Sequence, residues 1–391
     1  MRLHLIPPPV RPTEYPAPGS CPNPACGSRH VQFRQAVPKP VRDLHIDAVI
    51  AHRYQCPRCG RTFRVYPVGI SHDQTSARLK GLAVMFYALG MSYGAVALAL
   101  RALECPLSKV GVYNAVQAAG AAVPGLRRDA IRRGGGCVRA LGVDLTSVRC
   151  NGQWLTVGVS VDAVRGLVLT VDVLPNAEAE TLTAWVGELA AAVGAEVLVS
   201  DDADSFKTAA DEHGLLHQVC KKHVVDNTER LVSELTAAVA GDPDGSFAAL
   251  GVTVEQATAD LAEVLRLVRD RPAGRAGAET LATIHQRYAR ARPPGAGERW
   301  SLAYRIRAFT LDRWELWPRL TRYRTWEGAA GERLDGTNNG CERAIGWRVK
   351  ERYRTMRGYK QEEAVGHVSR LLAWLGNALD GPGAELAEVV A

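Results

Sequence analysis

The chain has 391 residues, 47% of them apolar and 23% charged, which excludes a disordered or fibrous polymer and leaves room for two or three domains with cores of their own. Its formal net charge is +7 and its pI is near 9.0, with the excess strongest in the last third; this suits a polyanionic partner better than an acidic small substrate. The opening "MRLHLIPPPVRP" is too short and too broken by proline for a signal peptide, so the cysteines are read as thiols of a cytoplasmic protein and not as a disulfide framework.

In chain order, the first element is expected over residues 15–66. Cys21 and Cys26 form one pair and Cys56 and Cys59 another, with strand-like segments such as "AVIAHRYQC" between them. Four thiolates in two close pairs suit tetrahedral Zn2+, which joins two turns that have too little apolar content to bury a core alone. This spacing predicts a zinc ribbon.

Residues 72–122 read as helices, "SARLKGLAVMFYALG", "SYGAVALALRAL" and "KVGVYNAVQAAG", with short breaks between them. Two short helices around a tight turn predict a helix-turn-helix bundle that binds DNA. The uncharged run 81–100 reaches the length of a membrane span, but Gly90, Ser92 and Gly94 interrupt it, and no membrane association is expected.

Beyond the loop "LRRDAIRRGGGC" the period changes to two. "ALGVDLTSV", "QWLTVGVSV" and "GLVLTVDVL" read as strands, "AEAETLTAWVGELAAAVG" as an amphipathic helix, and "AEVLVSDDADSF" as a buried strand that ends in acids. The order strand, strand, strand, helix, strand, helix is that of a ribonuclease H-like α/β domain, expected over 138–230. In that topology the first and fourth strands are neighbours at the middle of the sheet, so Asp144 and Asp201 meet at one edge and call for a divalent cation. Asp162 and Asp172 compete with Asp144, and Asp202 and Asp204 with Asp201. Asp201 is preferred because it comes first after the apolar run.

More than a hundred residues separate His223 from Glu342, too many for a structureless loop, so a helical insertion is expected over 231–335. Its segment "RWSLAYRIRAFTLDRWELWPRLTRYRTW" mixes aromatic and basic side chains, which pack a bundle or stack on unpaired bases. The final part of the core, 336–380, opens with Glu342, followed by seven basic residues: Arg343, Arg348, Lys350, Arg352, Arg354, Arg357 and Lys360. Two readings of Glu342 stand side by side. Asn339 and Glu342 have the spacing of a capping box, with the cations as a solvated face; alternatively, Glu342 joins Asp144 and Asp201 around metal while Arg343, Arg348, Lys350, Arg354 and Arg357 hold DNA phosphates.

The segments "GVDLTSV", "VLVSDDADSF", "HQVCKKHVVDN" and "TNNGCERAIGWRVKERYRTMRGYK", together with the N-terminal cysteine pairs, resemble the DDE transposases of bacterial insertion sequences over nearly the whole chain. The resemblance implies that Asp144, Asp201 and Glu342 form a catalytic triad binding Mg2+ or Mn2+. It further implies transposon-end and target DNA as partners, at least a dimer on DNA, and location at the nucleoid. The glycine often found after the second aspartate is Asp202 here. Cys220 and His223 match a Cys-x-x-His element of several such families and are read as structural, packing the helix against the sheet. A nuclease that cuts without joining, and a transposase-derived DNA-binding regulator without catalysis, are the alternatives.

Overall fold

The computed structural model describes residues 5–133, 136–241, 244–329, 331–356, 359–379 and 384–390. A short strand β1 (Leu5–Ile6) precedes a three-stranded antiparallel sheet of β2 (Gln32–Pro40), β3 (Ala48–Gln55) and β4 (Thr62–Val65). This sheet has little apolar interior: Val49 and Ala51 are buried, while Tyr15 stacks on His52 and Phe33 lies exposed. Its ends must therefore be tied by something other than a core.

Three helices follow, α1 (Ala77–Ala88), α2 (Tyr93–Ala102) and α3 (Lys109–Ala121). Each begins on a serine, Ser76, Ser92 or Ser108, whose hydroxyl accepts the amide three residues on and so satisfies one of the free donors of the first turn. The uncharged run 81–100 is thus two helices with a turn at Gly90, where φ is +110°, and among the described residues no helix is long and apolar enough to cross a membrane. A fourth helix, α4 (Leu126–Arg133), leads into the main sheet.

That sheet is mixed and five-stranded: β5 (Ala140–Cys150), β6 (Gln153–Asp162), β7 (Val168–Leu174), β8 (Val197–Ser200) and β9 (Leu216–Val219) lie in the order β7-β6-β5-β8-β9. The first three strands are antiparallel; β8 and β9 run parallel to β5, joined through α5 (Ala179–Val193) and α6 (Asp204–Glu212). Alternation along β5 divides its side chains: Leu141 and Val143 enter one core with Leu182, Leu189 and Phe206, whereas Val148 and Cys150 enter another with Val368 and Leu372.

From the edge of β9 rises α7 (Lys221–Val239), which packs with α8 (Val254–Asp270), α9 (Ala276–Arg287) and α10 (Leu302–Leu320) around Val232, Leu261, Ile284 and Trp317. The boundary expected between 230 and 231 falls inside α7, because this one helix starts on the sheet, with Val224 beside Val219, and ends in the bundle. Of the aromatic residues in the Trp- and Arg-rich segment, Trp317 and Trp326 are buried, and Trp300 and Trp314 are exposed. Gln218 fastens β9 to the end of α10, donating to the carbonyl of Leu320 and accepting the amide of Tyr323.

The chain then returns to the sheet as α11 (Asn339–Ala344), a π-helical turn (Ile345–Lys350) and α12 (Glu351–Met356), followed by α13 (Glu362–Leu379) and β10 (Ala384–Glu385), which pairs in parallel with β1. Helix α3 lies against α13, where the Tyr113 hydroxyl donates to Gln361 and Gln117 bonds His367. Helices α1–α3, one face of the sheet and α13 share a single apolar cluster.

Candidate metal centres

Among the described residues, Cys21, Cys26, Cys56 and Cys59 bring their four sulfurs within 4.8 Å of one another, all as free thiols. The Cys21–Cys59 and Cys26–Cys56 separations are 3.5 and 3.8 Å. A tetrahedron with Zn–S bonds of about 2.3 Å has S···S edges of about 3.8 Å, so the four sulfurs are spaced to hold an ion such as zinc. Two tight turns make this possible. Gly27 and Gly60 follow the second cysteine of each pair with φ of +54° and +74°, a backbone region that other residues enter at a cost. The N–H of Arg61 is the main cause holding Cys59 down to about 7, whereas Cys21, despite the Asn23 amide, is raised to about 11 by burial and the neighbouring thiols.

The second centre is built from three elements. Parallel pairing of β5 with β8 ends at Gly142 opposite Val199, so two residues further on Asp144 and Asp201 stand level at the same end of the sheet. Asp144 shares a face of β5 with Gly142, and that face is the one α11 approaches. A β-carbon on Gly142 would lie 2.8 Å from a Val161 methyl and 3.3 Å from the Cys341 sulfur; only glycine admits the helix this closely.

Asn338 fixes the approach. Its side-chain amide donates to the carbonyl of Val143, its N–H points at the Cys220 sulfur at 3.4 Å, and its carbonyl accepts the N–H of Glu342. One buried residue, through its side chain and its backbone, therefore joins the strand that carries Asp144, the start of α7 and the helix that carries Glu342. Sequence reading missed Asn338 and placed the cap on Asn339. In the structure Asn338 occupies the cap position without a side-chain capping bond, and no capping box forms. Glu342 is instead left with a buried Oε1 that has no hydrogen-bond partner. A buried acceptor in this state is unfavourable unless a cation or donor arrives.

Electrostatics point the same way. Asp144 is pushed up to about 6, chiefly by burial and then by the negative charges of Asp201 and Glu342, against the opposing Leu145 amide, which donates to its Oδ1, and the smaller pull of His223. Asp144 thus senses the two other carboxylates, although among the described residues the three acids do not bring their oxygens within 4.8 Å of one another.

The competing acids are occupied elsewhere. Asp162 accepts the amides of Val164 and Arg165 and pairs with the Arg165 guanidinium; Asp172 accepts from Thr170 and from the Trp185 indole. Asp202 forms an ion pair with Lys207 at 2.9 Å, although its Oδ1, like Oε1 of Glu342, is buried without a hydrogen bond, and Asp204 opens α6 as an exposed residue paired with the same lysine. Asp201 closes a local turn, accepting the Ala203 amide.

Arg343 and Lys350 are exposed on the helical segment after Glu342, and Trp347 between them is 71% exposed. Trp347 was not singled out in the sequence. Arg352 departs from the solvated face expected of the seven cations: it is buried, with its guanidinium 3.9 Å from the Tyr87 ring centre, because it joins α12 to α1. Arg357 lies outside the described residues, as do the side chains of Arg348 and Arg354. Cys220 is buried and His223 is exposed at the start of α7, with the His223 ring facing Glu342.

Compared with known proteins, the sequence matches no family model and no curated protein.

Proposed function

We propose that the chain is a metal-dependent transposase of the DDE class, which binds the ends of a mobile element, cleaves DNA phosphodiesters and transfers the freed 3′-hydroxyl to target DNA. The observation that carries this reading is the gathering of Asp144, Asp201 and Glu342 from two neighbouring strands and a distant helix, with one oxygen of Glu342 buried and unpartnered. The strand order β7-β6-β5-β8-β9, with its antiparallel half and parallel half, supports a ribonuclease H-like core in which such acids sit at the central strands.

Bound Mg2+ or Mn2+ ions would supply a nucleophile at neutral pH and stabilise the leaving oxygen. The chain's own part is positional. Asp144 and Asp201 present oxygen ligands from a rigid sheet edge, and Glu342, set by Asn338, approaches from α11. Arg343 and Lys350 offer phosphate contacts beside the site, and Trp347 offers a face on which an unpaired base can stack. The thiol cluster and the α1–α3 bundle provide further DNA-binding surface, although the packing of α3 on α13 leaves Lys109, Val110, Asn114, Ala118 and Ala121 as its exposed positions.

The test uses the purified chain with the DNA that flanks its gene on both sides and Mg2+. Cleavage and joining at inverted repeats are expected, with each of Asp144→Ala and Asp201→Ala inactive while end binding stays within about twofold. Full activity in both variants would overturn the assignment of the acids.

A further inference from the structure

Cys220 stands at the cap position of the 19-residue helix α7, yet its side chain makes no capping bond; its fully buried sulfur accepts the N–H of Asn338. One turn later His223 directs Nε2 toward Glu342 Oε1 at 3.8 Å. That separation is too long for a hydrogen bond and close to the edge of about 3.4 Å spanned by two N and O ligands of a tetrahedral ion. One ligand atom from each of Cys220, His223 and Glu342 lies within 4.8 Å of the others, and the Glu342 oxygen that faces His223 is the buried one without a hydrogen-bond partner.

We propose that Cys220, His223 and Glu342 form a soft-metal site, distinct from the four-cysteine cluster, which takes an ion of the zinc class and thereby withdraws Glu342 from Asp144 and Asp201. The regulatory half of this proposal rests on the transposase reading; the binding half does not. Donor chemistry sets the preference. Thiolate and imidazole favour zinc or cobalt, whereas magnesium holds to oxygen. The thiol gives up its proton to solvent on binding, so thiolate and carboxylate together neutralise the ion's charge, and three protein ligands leave a fourth position open. Ligation of the zinc-class ion through Oε1 draws the Glu342 carboxylate toward α7 and away from the two aspartates, so the two metals compete through Glu342.

Full-length protein purified with its four-cysteine cluster filled with zinc is titrated with Co2+ in the absence of DNA. One further equivalent is expected to bind with thiolate-to-cobalt charge-transfer absorption. Cys220→Ser should abolish that absorption and leave the resident zinc unchanged. Because Cys220 is buried, His223→Ala, at a half-exposed position, supplies a second variant and should bind Co2+ at least about tenfold more weakly. Equal cobalt uptake by wild type and both variants would overturn the site. In a separate arm, excess Zn2+ should inhibit Mg2+-dependent strand cleavage in wild type, and Cys220→Ser should be resistant. Absence of cleavage in Mg2+ alone would sink the transposase reading and leave the cobalt result standing, whereas equal inhibition of wild type and Cys220→Ser would sink the regulatory half alone.

Discussion

At the scale of single residues, Glu342 separates two roles. No side-chain cap depends on it, so Glu342→Gln removes a charge from among like charges and should leave the metal-free protein as stable as wild type or slightly more so. Strand cleavage should fall by more than about a hundredfold in Mg2+, with end binding preserved. An active Glu342→Gln protein would return this residue to a structural part. Asp144 gives a pH signature. Its carboxyl is raised from 3.8 to about 6, so between these values the folded state binds more protons than the unfolded state, and stability falls as pH rises through that window. The loss levels off above pH 6 at about 3 kcal/mol. Asp144→Asn should therefore melt higher than wild type at pH 7.5 and not at pH 4, and Mg2+ should narrow the gap at pH 7.5; melting curves at both pH values decide this. The three acids stood out in the sequence as candidates because Asp144 lies within the first strand, Asp201 directly follows an apolar strand and Glu342 is in the first turn of a helix. Which acids they are not was unreadable: Asp172 is occupied by Trp185 thirteen residues away, and Asn338 reaches Val143 across 195 residues, contacts that no local pattern encodes.

Among elements, the close seat of α11 on β5 is the most sensitive joint. Gly142→Ala would push a methyl against Val161 and the Cys341 sulfur, displacing the helix that carries Glu342. Its expected effect is a loss of about 1–3 kcal/mol together with reduced cleavage, measured by denaturant unfolding and by a strand-cleavage assay. The three-stranded unit at the N-terminus has the opposite character, since its few buried side chains leave the thiol cluster as its main tie. Cys56→Ser in the full chain should release one equivalent of zinc and abolish amide protection in β2, β3 and β4 while the five-stranded sheet stays protected; hydrogen exchange and metal analysis report both. Strands and helices here were legible from the period of their apolar residues. The extent of α7 was not, because a helix that begins in one packing environment and ends in another shows no break in its own sequence.

On the scale of the whole molecule, charge and packing divide the surface. If the helical segment after Glu342 tracks DNA, changing Arg343 and Lys350 together to Ala should weaken binding across sequences and lower the slope of log K against log salt by up to about two. An unchanged slope would remove this segment from the DNA path. In the sequence, the cluster of cations after Glu342 marked where such a partner is expected, but not which of them face solvent. The burial of Arg352 under Tyr87 shows why: a cation's place in the chain does not reveal whether it faces solvent or a neighbouring helix.

The order in which these parts leave the ribosome has a consequence of its own. Asp144 and Asp201 emerge early, Glu342 some two hundred residues after the first of them, and the strand Ala384–Glu385 that pairs with Leu5–Ile6 later still. A nascent chain can close its cysteine cluster and begin its sheet while the third carboxylate has not yet been made. On the proposed chemistry, any chain interrupted before that point is a strand-cutting enzyme that cannot cut, so premature termination yields an inert fragment and not an unregulated nuclease.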